Sequence, residues 1–145
     1  MVKAIRKEVE VTATLDEVWD AWTTEEGINS FFSRKANISL EIGGLYEMLF
    51  LLDNPVGQQG GEGNRILSYL PKEMLSFEWN APPNFPEVRK HKTWVVLQFE
   101  SLDTKLVKVK LTHLGWREGG NWGKVFGYFG GAWESVLTAL KEKFQ

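Results

Sequence analysis

The chain has 145 residues, which predicts a single domain over 1–145, and 43% of them are hydrophobic. It contains no cysteine and carries a formal net charge of −2, which excludes disulfides, thiolate catalysis and cysteine-ligated metals and leaves no basic patch for nucleic acid. No apolar stretch approaches the roughly 20 residues of a membrane helix, and the N-terminus does not resemble a signal peptide, so we expect a cytoplasmic protein without membrane insertion.

The first part of the chain predicts one strand followed by two short helices. Residues 3–12 alternate between apolar and charged side chains, a period typical of a strand with one wet face. Thr14 and Glu17 form a capping-box pattern at the start of LDEVWDAWT. Thr24 opens a second helical segment that ends at Phe31 and Phe32, which we interpret as a lid.

Between residues 35 and 114 the hydrophobic period changes to two, with turn-forming residues between short apolar runs. The predicted strands cover 35–42, 45–50, 64–70, 74–80, 93–101 and 106–114. Many short strands joined by tight turns are typical of one antiparallel sheet. The segment DNPVGQQGGEG predicts a mobile loop, and the proline-rich segment APPNFPEVRKHK predicts a second loop.

The C-terminal segment predicts a long amphipathic helix that begins at Trp122. At about 100° per residue its apolar side chains form one narrow stripe, composed of Trp122, Phe126, Phe129, Trp133, Val136, Leu137, Leu140 and Phe144. Glycines at 123, 127, 130 and 131 flank the stripe, although each costs a helix roughly 0.5–1 kcal/mol relative to alanine. Three explanations stay open: a close backbone approach, empty volume beside the helix, or a helix that begins nearer residue 124.

Helices segregated from a run of strands predict an α+β fold. An antiparallel sheet with one dry face must bury that face, and only the terminal helix is long enough to cover it. We therefore predict a curved antiparallel sheet of about six to seven strands that wraps around this helix.

Five segments carry a resemblance to a known superfamily along nearly the whole chain: VTATLDEVWDAWTT, IGGLYEM, GEGNRILSYLPKEMLSFEW, VKVKLTHLGW and GGAWESVLTALKEKF. In this order they resemble the START and polyketide-cyclase-like proteins, and more closely the bacterial branch related to the activator of heat-shock protein 90 ATPase. The resemblance implies a helix-grip fold with a cavity between the sheet and the long helix, which often binds an apolar small molecule. It does not imply one particular reaction.

The aromatic content is the strongest functional signal, with seven Trp, nine Phe and three Tyr. Ligand pockets and filled cores are both lined by such side chains, and the resemblance favours the pocket. Strand parity and the helical stripe nominate these ligand-binding residues: Phe31, Phe32, Tyr46, Met48, Phe50, Trp79, Trp94, Val109, Leu111, His113, Trp122, Phe126, Phe129, Gly130 and Trp133.

Few polar side chains are candidates for chemistry. His113 shares the apolar face of the last strand, where it either orients a ligand or bonds a structural neighbour, and we favour the neighbour. Arg65 either reaches a ligand carboxylate or lies exposed, and we favour exposure. Strand parity directs Glu47 and Glu78 to the wet face. We therefore nominate no catalytic residue, metal ligand or cofactor.

The favoured function is binding of a small hydrophobic or aromatic molecule in the predicted cavity, and a stress role through sequestration of a toxic metabolite fits it equally. One alternative is an enzyme of cyclase, dehydratase or hydrolase type, which would rely on His113, Tyr46 and Arg65. Another is a protein that interacts with a chaperone, as the name of the related eukaryotic protein suggests. A monomer and a homodimer are both compatible with the sequence.

Overall fold

The computed structural model describes residues 2–145. Its elements follow in the order β1 (Ile5–Val11), α1 (Leu15–Thr23), α2 (Glu25–Asn29), β2 (Lys35–Ile38), β3 (Tyr46–Leu49), β4 (Ile66–Leu70), β5 (Met74–Trp79), α3 (Pro86–Arg89), β6 (Thr93–Asp103), β7 (Leu106–Leu114) and α4 (Trp122–Lys143). The α+β helix-grip architecture is confirmed. Within residues 2–145, no helix combines the length and hydrophobicity needed to cross a bilayer.

The seven strands form two antiparallel sheets instead of one. Five strands pair in the order β1-β7-β6-β5-β4, and β2 pairs with β3 in a separate ribbon. Isolated bridges from Leu45 to Arg65 and from Leu49 to Gly60 connect this ribbon to the chain before β4. The strand predicted over 35–42 is too long, because β2 ends at Ile38 and the chain then turns.

The predicted helix starts are confirmed. The Thr14 hydroxyl accepts from the Glu17 amide at 3.2 Å, and the Glu17 carboxylate accepts from the Thr14 amide at 2.9 Å. The Thr24 hydroxyl accepts from the Gly27 amide at 3.0 Å and caps α2. These bonds satisfy amides that have no partner within their helix.

Helix α4 begins at Trp122, so the explanation that it starts nearer residue 124 is wrong. A Cβ atom added at Gly123, Gly127, Gly130 or Gly131 would meet nothing within 4 Å outside the helix. The explanation by a close backbone approach is therefore also wrong. Gly127 and Gly131 are exposed, so the empty volume beside them is solvent.

Strand β6 presents the face opposite to the one predicted. Val95 and Leu97 are fully buried, whereas Trp94 is 41% exposed. The inward assignment of Trp94 is wrong because the buried residues of this strand start at Thr93, which lies opposite Trp79 in β5. The Trp94 ring covers Gly115 on the outer face, where an added Cβ would lie 2.7 Å from the ring.

Candidate functional site

A groove runs along the surface between the middle of α4 (residues 128–136), the connection after β3 and the end of β5. It consists of two adjoining cavities of about 240 and 260 Å³, both open to solvent. The first cavity is lined by Phe50, Leu51, Gln59, Gly60, Gly61, Trp79, Asn80, Ala81, Pro82, Pro83, Arg89, Tyr128 and Phe129. The second is lined by Phe32, Phe50, Trp79, Tyr128, Phe129, Ala132, Trp133, Ser135 and Val136.

Aromatic rings packed against one another form the floor of the groove. The ring centroids of Trp79 and Trp133 lie 5.2 Å apart. Phe32 packs edge-on against Trp133 at 5.6 Å and lies 5.6 Å from Phe50. Tilted and edge-to-face contacts at these distances are the favourable arrangements for aromatic rings, so they give the floor a defined shape.

An ion pair ties the connection after β3 to the chain after β5. Arg89 donates from Nη2 to the carbonyl oxygens of Gly57 and Gly60 at 2.9 and 2.7 Å, and to Glu62 Oε1 at 3.3 Å. Its Nη1 donates to the carbonyl of Ala81 at 2.5 Å. The segment predicted to be a mobile loop is thus hydrogen-bonded along one wall of the groove.

The Glu62 carboxylate also accepts hydrogen bonds from backbone amides of the same connection. We call its contacts with Arg89, Gly57 and Gly60 the latch. Gly57 donates to Oε2 at 2.6 Å and Gly60 to Oε1 at 2.8 Å. Burial alone would raise the pKa of Glu62, but the backbone hydrogen bonds from Gln59, Gly60 and Gly57 outweigh it and lower the pKa. The carboxylate is therefore held in its charged form opposite Arg89.

His113 lies beneath the groove and uses both ring nitrogens for structural hydrogen bonds. Trp133 Nε1 donates to His113 Nδ1 at 2.9 Å, and His113 Nε2 lies 2.7 Å from the hydroxyl of Thr93. Because an indole nitrogen can only donate, Nδ1 accepts and Nε2 carries the ring proton. The Thr93 hydroxyl then donates its own hydrogen bond to the carbonyl oxygen of Trp79 at 3.2 Å. His113 therefore bonds to structural neighbours, the alternative that the sequence favoured.

The other polar candidates for catalysis are also engaged in structural contacts. The hydroxyl of Tyr46 is fully buried and donates to the carbonyl of Trp22 at 2.6 Å. Arg65 is exposed, as expected, and donates to the carbonyl of Gly43 at 2.9 Å. Between residues 2 and 145, no three His, Asp or Glu side chains come together in a group that could hold a metal ion.

Five of the predicted binding residues line the groove: Phe32, Phe50, Trp79, Phe129 and Trp133. Five others lie in the filled core below it, each at most 1% exposed: Tyr46, Met48, Val109, Leu111 and His113. The remaining five lie elsewhere. Phe31 packs on Trp22, Trp122 and Phe126 pack around Trp116, Trp94 faces outward, and Gly130 lies beside the helical stripe.

The predicted space between sheet and helix is thus a surface groove above a packed core. Its outer wall includes residues that the sequence did not nominate, chiefly Tyr128, Arg89, Asn80 and the two prolines that follow it. Tyr128 is 53% exposed and lies off the apolar stripe of α4. For the part of this wall that follows β5, the available sequence signal was the run APP directly after the strand predicted over 74–80.

A family model described as Activator of Hsp90 ATPase homolog 1-like protein matches residues 12–145. A search of curated proteins gave no match. Several solved structures share the fold. Protein MLL2253 from Mesorhizobium loti is 16% identical with a TM-score of 0.77, and the alignment covers 97% of this chain and 96% of that one.

Two further structures show the same likeness. The Aha1 dimer from Colwellia psychrerythraea, solved in solution, is 18% identical with a TM-score of 0.70, and the alignment covers 98% of this chain and 96% of that one. CalU16 from Micromonospora echinospora is 21% identical with a TM-score of 0.73, and the alignment covers 99% of this chain and 77% of that one. At these identities the likeness establishes the shared fold.

Proposed function

Since the chain belongs to the family of Activator of Hsp90 ATPase homolog 1-like proteins, and its sequence resembles a superfamily whose members often hold an apolar small molecule between sheet and helix, we propose that it binds a small apolar or aromatic molecule. The binding site is the groove between α4, the connection after β3 and the end of β5. The observation that carries this proposal is an open, aromatic-walled groove above a core that is otherwise filled.

The groove has the chemical character of a ligand site. Its walls are mostly carbon, with a few polar groups at one end, as ligand pockets usually have. Each cavity is slightly smaller than the roughly 300 Å³ at which pockets for drug-sized ligands begin, with about 240 Å³ in one and 260 Å³ in the other. This size favours a ligand with one or two rings in one cavity, or a longer molecule that spans both.

Binding is favoured over catalysis because the candidate catalytic side chains already have structural partners. His113 accepts from Trp133 and donates to Thr93, and Tyr46 donates to a buried carbonyl. A general acid or base must reach the substrate by hydrogen bond. Neither side chain lines the groove.

The experiment is a titration of the isotopically labelled protein with 2-ethylnaphthalene, a purely hydrocarbon probe, followed by amide chemical shifts. We expect the shifts to concentrate at Phe50, Tyr128 and Phe129. Ala132→Leu fills the groove from α4 and should abolish them. Ala139→Leu makes the same change on the same helix outside the groove and should leave them intact. An absence of saturable shifts in the unmodified protein would overturn the proposed function.

A further inference from the structure

Two consecutive residues at the groove, Trp79 and Asn80, hold hydrogen-bond donors that no described residue accepts. Trp79 lines both cavities and is 5% exposed. Its indole nitrogen is buried and has no acceptor within residues 2–145. A buried donor left without a partner costs about 1–3 kcal/mol, a cost that a bound acceptor would remove.

Asn80 is 8% exposed and lines the first cavity. Its Oδ1 accepts from Asn64 Nδ2 at 3.3 Å, while Asn64 Oδ1 accepts from Lys92 Nζ at 2.5 Å. The Lys92 ammonium can only donate, so it fixes the Asn64 amide with its oxygen toward the lysine. Asn64 must then donate to Asn80, and Asn80 Nδ2 is left as a donor without an acceptor in the described chain.

The chain of hydrogen bonds from Lys92 through Asn64 to Asn80 determines that Asn80 has a free donor and not a free acceptor. A charged donor at one end of a chain of hydrogen bonds polarises the amides along it, so Lys92 strengthens the donor that Asn80 retains. Trp79 and Asn80, which both line the first cavity of the groove, therefore each carry a donor without an acceptor in the described chain. Neither a second donor nor a hydrocarbon would satisfy them.

The groove also offers no unpaired charge. Arg89 is the charged residue among its lining side chains, and its guanidinium faces the Glu62 carboxylate and three backbone carbonyls. A ligand carboxylate would have to compete with Glu62 for it, and burial of a charge without a partner is costly.

We propose that the ligand of this groove is an uncharged molecule whose flat apolar body carries a hydrogen-bond acceptor, such as a ketone or ether oxygen, that receives bonds from Asn80 Nδ2 and Trp79 Nε1. This inference rests on the proposed function and specifies the ligand class.

The test compares 2-acetylnaphthalene with 2-ethylnaphthalene, two probes of similar shape that differ by one ketone oxygen. We expect the ketone to bind about five- to a hundredfold more tightly, the effect of two net hydrogen bonds. Relative to the hydrocarbon, the ketone should move the indole N–H resonance of Trp79 and the side-chain amide resonance of Asn80 downfield, as a new hydrogen bond does.

Two variants separate the donors from general packing. Asn80→Asp keeps the oxygen that accepts from Asn64 but places an acceptor where the donor was, and it should remove most of the preference for the ketone. Trp79→Phe should reduce the same preference. Trp22→Phe removes the second buried indole N–H that lacks an acceptor, which lies outside the groove, and should leave the preference unchanged.

The outcomes separate this inference from the function on which it rests. Equal affinity for the two probes, with no difference between them in the Trp79 indole resonance, would overturn the inference and leave the binding function intact. Binding of neither probe would overturn both. A preference for the ketone that survives in Asn80→Asp and in Trp79→Phe would assign the acceptor to other groups and would also overturn the inference.

Discussion

Trp133 of α4 donates its indole N–H to Nδ1 of His113 in β7 over 2.9 Å, inside the core. The bond joins the long helix to the sheet that wraps around it. Because this bond occupies the lone pair of Nδ1, His113 can accept a second proton only if the hydrogen bond from Trp133 breaks. Burial lowers the pKa of His113 from 6.5 to about 3, so the ring stays neutral in the folded protein at every ordinary pH.

We predict that this histidine makes folding stability depend on pH between about 6.5 and 3. The unfolded chain binds a proton at His113 below pH 6.5 and the folded chain does not, so stability is complete above 6.5 and falls as the pH decreases through that window. The slope is about 1.4 kcal/mol per pH unit. Because the unfolded histidine is already half protonated at pH 6.5, urea unfolding at pH 6.5 and 5.0 should differ by about 1.6 kcal/mol through this residue.

The variant His113→Gln provides the control, since an amide can accept from Trp133 and has no ionisation in this range. It is expected to lower stability at pH 7 and to flatten the dependence between pH 6.5 and 5.0. An identical dependence in both proteins would show that His113 is not the group responsible.

The second prediction concerns the effect on stability of replacing exposed glycines in α4. Gly127 and Gly131 are exposed, with nothing within 4 Å of an added Cβ. Gly127→Ala and Gly131→Ala should each stabilise the protein by about 0.5–1 kcal/mol, because alanine loses less conformational entropy in a helix. Thermal or urea unfolding measures the gain.

Gly27 in α2 is the matched control, because it is also helical but its surroundings are full. A Cβ there would overlap the backbone of Asp20 and Ala21. Gly27→Ala should therefore destabilise the protein while the two changes in α4 stabilise it. Destabilisation by all three would contradict the open surroundings assigned to the glycines of α4.

The sequence could predict which face of an element is buried wherever one period dominated. Strand β7 alternates without ambiguity, and Val107, Val109, Leu111 and His113 are all buried as predicted. The buried face of strand β6 was predicted wrongly because both faces carry apolar residues near the start of the strand. There the large ring of Trp94 suggested burial, while Thr93 took the inner position next to His113.

The groove could be predicted only in part. Its floor comes from the regular elements, and periodicity therefore found Trp79, Phe129 and Trp133. Apart from Tyr128 of α4, its outer wall comes from chain connections, where no period exists. Arg89 meets Gly57 and Gly60 across about 30 residues of sequence, and such a contact leaves no local pattern.

The third prediction concerns the contribution of the latch between Arg89 and Glu62 to stability. Glu62→Gln removes the charge opposite Arg89 and one acceptor for the amides of Gly57 or Gly60. It should lower stability by about 1–3 kcal/mol, the usual cost of removing the partner of a buried hydrogen-bonding group, since the Glu62 side chain is only 19% exposed. Amide hydrogen exchange at Gly57 and Gly60 should accelerate.

Glu87→Gln is the control for this change, because Glu87 forms an exposed ion pair with Lys90 in which its side chain is 82% exposed. Exposed pairs of this kind contribute about 0–1 kcal/mol. We expect unchanged exchange at the two glycines. Equal effects of the two substitutions would show that Glu62 does not hold the wall of the groove.

Acidification should open the same wall, which is the fourth prediction. Burial would raise the pKa of Glu62, but the backbone amides of Gln59, Gly60 and Gly57 hold it below 4.5. The contribution of the carboxylate is therefore complete above pH 4.5 and is lost as the pH falls through its lower folded-state pKa. We expect the amide resonances of Gly57 and Gly60 to move together at that lower pH, and the movement to be absent in Glu62→Gln. A midpoint of this movement above pH 4.5 would mean that burial outweighs the hydrogen bonds and raises the pKa of Glu62, which would contradict the prediction.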